Sequence, residues 1–204
     1  EQVKLTSVTK DLGKKDVQII LASGSPRRRE LLQGLGLTFQ MIPADIDETP
    51  LDSELPRDLV GRLSMTKAKA VSEVYPDALV IAADTTVALG KQILEKPKDK
   101  EENKLFIERL QGRKHDVFTG HALMYKGRLE SVVKHSEVHF RPLSEEEINA
   151  YVETREGLDK AGGYGIQGRG AALIPHIVGC YFNVMGMSVA AVVELAAKLG
   201  VRLL

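Results

Sequence analysis

The sequence of 204 residues contains a single cysteine, Cys180. No disulfide bond can therefore form within the chain, which favours a reducing compartment, and we expect a cytoplasmic protein. Long hydrophobic runs are also missing, because no stretch approaches the roughly 18 apolar residues of a membrane-spanning helix. We therefore expect no membrane partner.

The chain also lacks an excess of charge of either sign. Lys plus Arg total 28 and Asp plus Glu total 28, so the formal net charge is zero. Proteins that hold duplex nucleic acid usually present a broad basic surface, so we expect no stable nucleic-acid complex. A local cluster of basic residues can still bind a small anion.

The composition is that of an ordinary globular protein, with 43% hydrophobic and 27% charged residues. A chain of this length buries roughly 70% of its unfolded surface and needs no disulfides to fold. Residues 1–16 are polar and mixed in charge, without the apolar centre of a signal peptide. We predict a flexible N-terminal leader over residues 1–16 and one domain over residues 17–204.

Strand and helix patterns alternate along the chain, and this alternation predicts an α/β fold. The strand patterns cover Val17–Ser23, Thr38–Pro43, Asp77–Leu89, His115–Tyr125, Arg128–Phe140 and, as short pieces with a turn at Val178–Gly179, Ala171–Val184. The helix patterns cover Pro26–Gly36, Pro56–Tyr75, Asp99–Leu110, Ser144–Arg155 and Ser188–Leu199. Because Lys126–Gly127 joins two strands as a hairpin, the sheet is expected to be mixed and flanked by helices.

A polar turn, Ser23–Gly24–Ser25–Pro26–Arg27–Arg28, separates the first predicted strand from the first helix. Ser25 suits the N-cap position and Pro26 the first helical position. The free N–H groups of a helix start favour phosphate, and the guanidinium groups of Arg27 and Arg28 match phosphate oxygens. The alternative is ordinary capping with solvated arginines. The glycine spacing of a Walker A loop is absent.

Asp84 follows six small or apolar residues, Ala78 to Ala83, and is expected to emerge at the end of a strand. Ligand sites in α/β sheets lie beyond the carboxyl ends of strands. If this strand is parallel to the first, Asp84 and the Ser23–Arg28 turn open onto the same edge. The alternative is an aspartate that caps its own loop.

Two lysines could join such a site. Lys67 interrupts the apolar stripe of its helix between Leu63 and Val71, so it either reaches outward to solvent or points into a polar cleft. Lys96 follows the Asp84 strand in the sequence Glu95–Lys96–Pro97.

An acidic loop contains Asp45, Asp47 and Glu48. Carboxylates of this kind can hold a hard divalent cation, although a solvated loop is the commoner outcome. A glycine-rich segment, Asp159–Gly168, indicates a backbone that approaches something closely. Within it, Gln167 offers amide donors and an acceptor that can read the edge of a base.

Six separated motifs occur in an order that resembles the Maf family of nucleotide pyrophosphatases, a family also linked to septum formation. The resemblance covers nearly the whole chain from Val17 to Leu199. The motifs are ASGSPRR at 22–28, MTKAKAV at 65–71, AADTTV at 82–87, LEKP at 94–97, FTG at 118–120 and DKAGGYGIQGRG at 159–170.

The resemblance implies hydrolysis of nucleoside triphosphates to monophosphate and pyrophosphate, with dTTP and UTP as substrates and Mg²⁺ or Mn²⁺ as cofactor. It implies a mixed sheet with two lobes around a deep cleft, similar to inosine triphosphatases, and a homodimer. The roles that it implies are proton acceptor for Asp84, phosphate contact for Ser23, Arg28, Lys67 and Lys96, base selection for Arg27, Thr85 and Gln167, and metal binding for Asp47 with Asp84. Many family members have Glu where this chain has Asp47, so Glu48 is an alternative ligand.

Two other functions remain open at this point. One is the same hydrolysis to monophosphate and pyrophosphate with 7-methyl-GTP or another modified purine nucleotide as the substrate. The other is a regulator of cell division that binds nucleotides or nucleic acid without catalysis. The neutral charge and the presence of Asp84 with both lysines disfavour the second.

Overall fold

A computed structural model describes residues 17–204 of the chain. The predicted leader, residues 1–16, lies outside the described residues, so the division into a leader and one domain stays a prediction. Within residues 17–204, no helix has both the length and the apolar character needed to cross a membrane.

The element bounds agree with most of the predicted pattern to within a few residues. The strands are β1 (Ile19–Leu21), β2 (Gln40–Met41), β3 (Leu79–Leu89), β4 (Gln92–Leu94), β5 (Lys114–Tyr125), β6 (Arg128–His139) and β7 (His176–Val178). The α-helices are α1 (Pro26–Gly34), α2 (Pro56–Val74), α3 (Lys100–Leu110), α4 (Glu145–Glu153), α5 (Tyr181–Met185) and α6 (Val189–Lys198). Two short 3₁₀ helices span Ala161–Gly163 and Gly168–Leu173.

The seven strands form one mixed sheet in the order β2-β1-β3-β5-β6-β7, with β4 paired to β3. Strand β1 is parallel to both β2 and β3, whereas β3, β5, β6 and β7 pair antiparallel in succession. The predicted mixed α/β sheet flanked by helices is therefore confirmed. Strand β3 lies at its centre and is much longer than β1, which ends opposite Ile81.

The core divides along β3. Next to β1, alternate residues of β3 enter two clusters: Ile81 packs with α6 on one face, and Val80 packs with α2 on the other. Further along, Val87 belongs to a third cluster with residues of α3 and α4. The first two clusters form one packed region beside β1, and the third forms a second region at the other end of β3. The surface between these two regions is where a cleft can form.

One secondary-structure prediction, short strands across Ala171–Val184 with a turn at Val178–Gly179, is confirmed only for β7 and the bend at Gly179 that follows it. That segment contains the end of a 3₁₀ helix, the three-residue strand β7 and the start of α5. Gly179 at φ 118° and Gly186 at φ 122° confine α5 to five residues, which is too short to show a helical period. Strand β4 was not predicted, because its three residues carry no alternating pattern.

Gly120 of β5 allows α2 to lie directly on the sheet. A Cβ at Gly120 would lie 2.0 Å from the carbonyl oxygen of Val60 in α2, a distance that no side chain tolerates. Gly120 also pairs with Asp84 in the adjacent strand. The glycine therefore sets how closely α2 approaches Asp84.

We predict that Gly120→Ala lowers the free energy of unfolding by about 2 kcal/mol or more, because α2 must move away from the sheet. Chemical denaturation measures this change. Gly34→Ala is the matched control, since no atom of residues 17–204 would meet its Cβ within 4 Å. That control should leave stability unchanged or raise it by up to about 1 kcal/mol. Equal effects of the two variants would contradict the packing argument.

Candidate functional site

A cavity of about 820 Å³ lies between the two packed regions. Its lining includes the polar turn after β1, the middle of β3 and the glycine-rich segment. The predicted site residues on its wall are Ser23, Arg27, Arg28, Lys67, Asp84, Thr85, Lys96 and Gln167. Of the residues assigned to the site from sequence, Asp47 alone is not part of this wall.

Lys67 and Asp84 form a buried ion pair on this wall. The Lys67 Nζ lies 2.7 Å from the Asp84 Oδ1, and the two residues are 8% and 9% exposed. Lys67 therefore points into the cleft rather than outward. On its other side, the Glu48 Oε1 lies 2.8 Å from the same Nζ, and this side chain is largely exposed. One ammonium group thus joins a fixed carboxylate and an accessible one.

The prediction that Asp84 lies at the end of a strand is wrong. Asp84 lies in the middle of β3, which continues to Leu89 because β5 pairs with it as far as Ala88 and β4 pairs with its last three residues. The shorter strand β1 ends at Leu21, three residues before the level of Asp84. Asp84 therefore lies beyond the carboxyl end of β1, beside the Ser23–Arg28 turn, and both open onto the cavity.

The alternation of β3 divides the site between its two faces. Asp84 has the parity of Val80 and Ala82, whose side chains pack on α2, so Asp84 meets Lys67. Thr85 has the opposite parity and meets Arg28 of α1. Adjacent residues of one strand therefore hold the carboxylate and a guanidinium on opposite sides of the cleft floor.

Arg28 is fixed by three hydrogen bonds. Its Nε donates to the Gly186 carbonyl at 2.8 Å, its Nη1 to the Ser23 hydroxyl at 3.2 Å and its Nη2 to the Thr85 hydroxyl at 3.0 Å. Burial lowers the pKa of Arg28 from its ordinary value, and the carboxylate of Asp84 opposes this shift. A guanidinium stays protonated throughout the physiological range, so a positive charge is held facing the cavity.

The turn that supplies Arg28 is itself well ordered. The Ser25 side chain accepts a hydrogen bond from the Arg28 N–H at 3.4 Å, and Pro26 occupies the first turn, as predicted. The Ser23 hydroxyl accepts from the Ser25 N–H at 3.1 Å. This capped turn therefore places Ser23, Ser25 and Arg28 on the wall of the cavity.

Thr119 supports this arrangement from below and had no role in the sequence interpretation. It is fully buried, donates to the Asn183 carbonyl at 3.0 Å and lies 3.0 Å from the Thr85 hydroxyl. The sequence signal for it was the FTG motif, quoted only as part of the resemblance. The carbonyl of Gly186 could not have been found, because a backbone atom leaves no trace in residue identity.

His121 fixes the chain just after Gly186. The Ser188 N–H donates to the His121 Nε2 at 2.8 Å. Burial, followed by the charge of Arg28, lowers the pKa of His121 to about 4. The imidazole is therefore neutral at pH 7, as an acceptor nitrogen requires, and adds no positive charge beside Arg28.

Arg27 connects α1 to the glycine-rich segment across the cavity. Its Nε donates to the Met185 carbonyl at 3.3 Å, and its Nη1 lies 3.6 Å from the Asp159 Oδ2. Lys160 holds the same aspartate at 2.6 Å. Asp159 and Lys160 also line the cavity and were present in the sequence only as part of the glycine-rich motif.

The structure separates the two acidic candidates for a metal ligand. Asp47 is exposed, and its Oδ1 accepts from the Thr49 N–H at 2.9 Å in a local turn. Glu48 lines the cavity and contacts Lys67. Among residues 17–204, no three His, Cys, Asp or Glu side chains come together as a metal-binding group.

Comparisons with known proteins point in one direction. The chain is 48% identical over 185 residues to a dTTP/UTP pyrophosphatase from Symbiobacterium thermophilum, covering 90% of this chain and 94% of that protein. It is 46% identical to proteins of the same name from Syntrophus aciditrophicus, covering 90% of each chain, and from Myxococcus xanthus, covering 91% and 94%.

A solved HAM1 protein from Coxiella burnetii shows a weaker likeness, with a TM-score of 0.42 and 18% identity over 61% of this chain and 73% of that one. The family described as Maf-like protein matches residues 18–199, which is most of the described structure. The chain belongs to the family of Maf-like proteins.

Proposed function

We propose that this chain hydrolyses dTTP and UTP to the monophosphates and pyrophosphate. The observation that carries the proposal is the Asp84 carboxylate, held 2.7 Å from Lys67 on the wall of a cavity that Arg28 also lines. The reaction requires groups that bind the triphosphate polyanion and a base that activates water. The cavity offers cations for the first requirement and a carboxylate for the second. The names of the relatives supply the class of substrate.

The triphosphate binds at the end of the cavity formed by the Ser23–Arg28 turn. Arg28 and Lys67 contact its phosphates from opposite sides, and Ser23 and the Arg27 N–H add donors. Lys96 is exposed at the wall and closes on the outer phosphates. Lys67 can turn from Glu48 to a phosphate oxygen, because the Glu48 side chain is 57% exposed and free to move away.

Asp84 orients a water molecule and accepts its proton as the water attacks the α-phosphorus. Lys67 holds Oδ1, and within residues 17–204 no hydrogen bond reaches Oδ2, which leaves that oxygen for the water. The bond between the α- and β-phosphates breaks in line with the attack, and pyrophosphate leaves. Positioning and charge neutralisation supply most of the rate in phosphoryl-type transfer.

The residues present fit a divalent cation, Mg²⁺ or Mn²⁺. Lys67 lies between Glu48 and Asp84 where two carboxylates converge, and one or two carboxylates with substrate phosphates are the usual ligands of Mg²⁺. We assign the ligands to Asp84 and Glu48 in preference to Asp47, which lies outside the cavity wall. When bound, such an ion supplies positive charge to the phosphate oxygens.

The base lies toward the glycine-rich segment. Arg27, Thr85 and Gln167 line the cavity, and Arg27 already bridges to Asp159 of that segment. These side chains offer donors and acceptors to a pyrimidine edge. We further propose a cytoplasmic protein without a stable nucleic-acid partner, in keeping with the single cysteine and the zero net charge. The homodimer that the family resemblance implies stays part of the proposal.

The proposed function is tested by incubating the purified chain with dTTP, UTP, CTP, GTP and 7-methyl-GTP in ¹⁸O-labelled water with Mg²⁺ or Mn²⁺. We expect monophosphate and pyrophosphate from dTTP and UTP, with the label in the monophosphate because water attacks the α-phosphorus. Label in pyrophosphate, or release of diphosphate and phosphate, would contradict the site of attack. Preference for 7-methyl-GTP would show that the substrates are modified purine nucleotides. Absence of turnover would favour a protein that binds nucleotides without catalysis.

Asp84→Asn should lower kcat for dTTP about 10²-fold or more, because the amide cannot accept the proton of the attacking water. At saturating Mg²⁺, KM should change less than kcat, since the cationic contacts to the phosphates remain. Steady-state kinetics measure both constants, and thermal unfolding shows that the variant is folded. Asp77→Asn makes the same change at an exposed position just before β3 and should be neutral. Near-normal turnover by Asp84→Asn would refute the assigned role.

Arg28→Lys should lower kcat/KM for dTTP about 10-fold or more although the charge is kept. A lysine cannot reach Gly186, Ser23 and Thr85 together while presenting a planar fork to phosphate. Arg29→Lys is the control, because Arg29 is the neighbouring arginine of α1 and is exposed. If both variants retain normal kcat/KM, the geometry of the guanidinium is not what the site uses.

A further inference from the structure

The loop that carries Gln167 is held on both sides by one pair of residues. Before Gln167, the Gly165 N–H donates to the Tyr151 hydroxyl at 3.2 Å. After it, the Arg169 N–H donates to the Glu156 Oε2 and the Gly170 N–H to the Glu156 Oε1, both at 2.9 Å. The loop is therefore fixed at three backbone positions around Gln167.

The two holding residues are also joined to each other. The Tyr151 hydroxyl donates to the Glu156 Oε1 at 3.3 Å, so this hydroxyl accepts one hydrogen bond and donates another. Burial raises the pKa of Tyr151, which keeps the hydroxyl protonated. The Glu156 carboxylate meets the first N–H groups of the 3₁₀ helix Gly168–Leu173, where a negative charge is favoured.

Two glycines of the segment leave the space that this arrangement needs. A Cβ at Gly168, which has φ 63°, would lie 2.6 Å from the Glu156 Oε2. A Cβ at Gly170 would lie 1.8 Å from the Gly165 carbonyl oxygen. The backbone can wrap around the carboxylate only without side chains at these positions, so the glycine pattern and Glu156 belong to one structural unit.

Neither Tyr151 nor Glu156 is part of the cavity wall, whereas Gln167 is. Gln167 directly precedes the 3₁₀ helix, and its side chain makes no capping hydrogen bond to the helix start. The amide of Gln167 is thus directed by its backbone and left available to a ligand.

We infer that Tyr151 and Glu156 are positioning residues for nucleobase selection, acting by fixing the backbone on both sides of Gln167. This inference rests on the proposed function, in which Gln167 contacts the base. A carboxylate that binds two backbone N–H groups at once sets the loop more tightly than an amide or a water molecule could. Glu156 therefore affects which nucleotide is accepted, and Asp84 affects how fast it reacts.

The test compares Glu156→Gln and Tyr151→Phe with the unchanged chain on dTTP, CTP and methyl triphosphate, which keeps the reacting anhydride bond and lacks a base. For each variant we expect KM for dTTP to rise about 10-fold and kcat to stay within about 3-fold. The preference for dTTP over CTP should shrink, and kcat/KM for methyl triphosphate should not change. Thermal unfolding confirms that each variant is folded.

Glu153→Gln is the matched control, because Glu153 belongs to the same helix and is exposed beside Lys100. It should behave as the unchanged chain. In the double variant Glu156→Gln/Tyr151→Phe, KM for dTTP should rise by less than the product of the two single increases, because both residues act through one loop. An equal loss on methyl triphosphate and dTTP, or unchanged selectivity, would overturn the inference.

Gln167→Ala separates this inference from the proposed function. Reduced base selectivity in Gln167→Ala, with normal selectivity in Glu156→Gln and Tyr151→Phe, would overturn the positioning role alone. Normal selectivity in Gln167→Ala would overturn the positioning role together with the assignment of Gln167 to the base. Absence of turnover in the unchanged chain would refute the proposed function itself.

Discussion

Burying a carboxylate costs several kcal/mol unless an opposite charge meets it, and Asp84 is only 9% exposed. Lys67 meets it at 2.7 Å, and this pairing constrains everything around the cleft. Lys67 can reach Asp84 only if α2 lies directly on the sheet, which Gly120 permits. The ion pair, the packing of α2 and the missing side chain of Gly120 are therefore parts of one requirement.

The same pairing explains why the site can accept a polyanion. Arg27, Arg28 and Lys67 bring three positive charges to one cavity, and each is paired with carboxylate or carbonyl oxygens. Of these partners, Asp84 is fixed by the sheet, whereas Glu48 belongs to an exposed loop. A triphosphate can therefore replace Glu48 as the partner of Lys67 while Asp84 keeps its position in the sheet. Binding therefore substitutes one set of ion pairs for another and leaves no cation buried alone.

Local patterns in the sequence predicted the local structure well. The central strands and the Ser25 N-cap both follow from residue type and spacing. The hairpin at Lys126–Gly127 is present, with both residues at positive φ. Distant partners were not predictable in the same way. Lys67 read as an interruption of an apolar stripe because its partner lies 17 residues away on another element. Asp84 was expected at a strand end because pairing with β5, which extends β3, leaves no signal within β3 itself.

The arrangement also separates the chemistry from the choice of nucleotide. Asp84, Lys67 and Arg28 come from the sheet and from helices that pack on it, so their spacing changes only if the core changes. Gln167, by contrast, comes from a glycine-rich loop, tied by Glu156 and by Asn103, which donates to the Gly163 carbonyl at 2.7 Å. Those ties reach backbone atoms and leave side chains such as Gln167 free to differ. A fold of this kind can alter its preferred base by substitutions in the loop while Asp84 and Lys67 keep the same geometry.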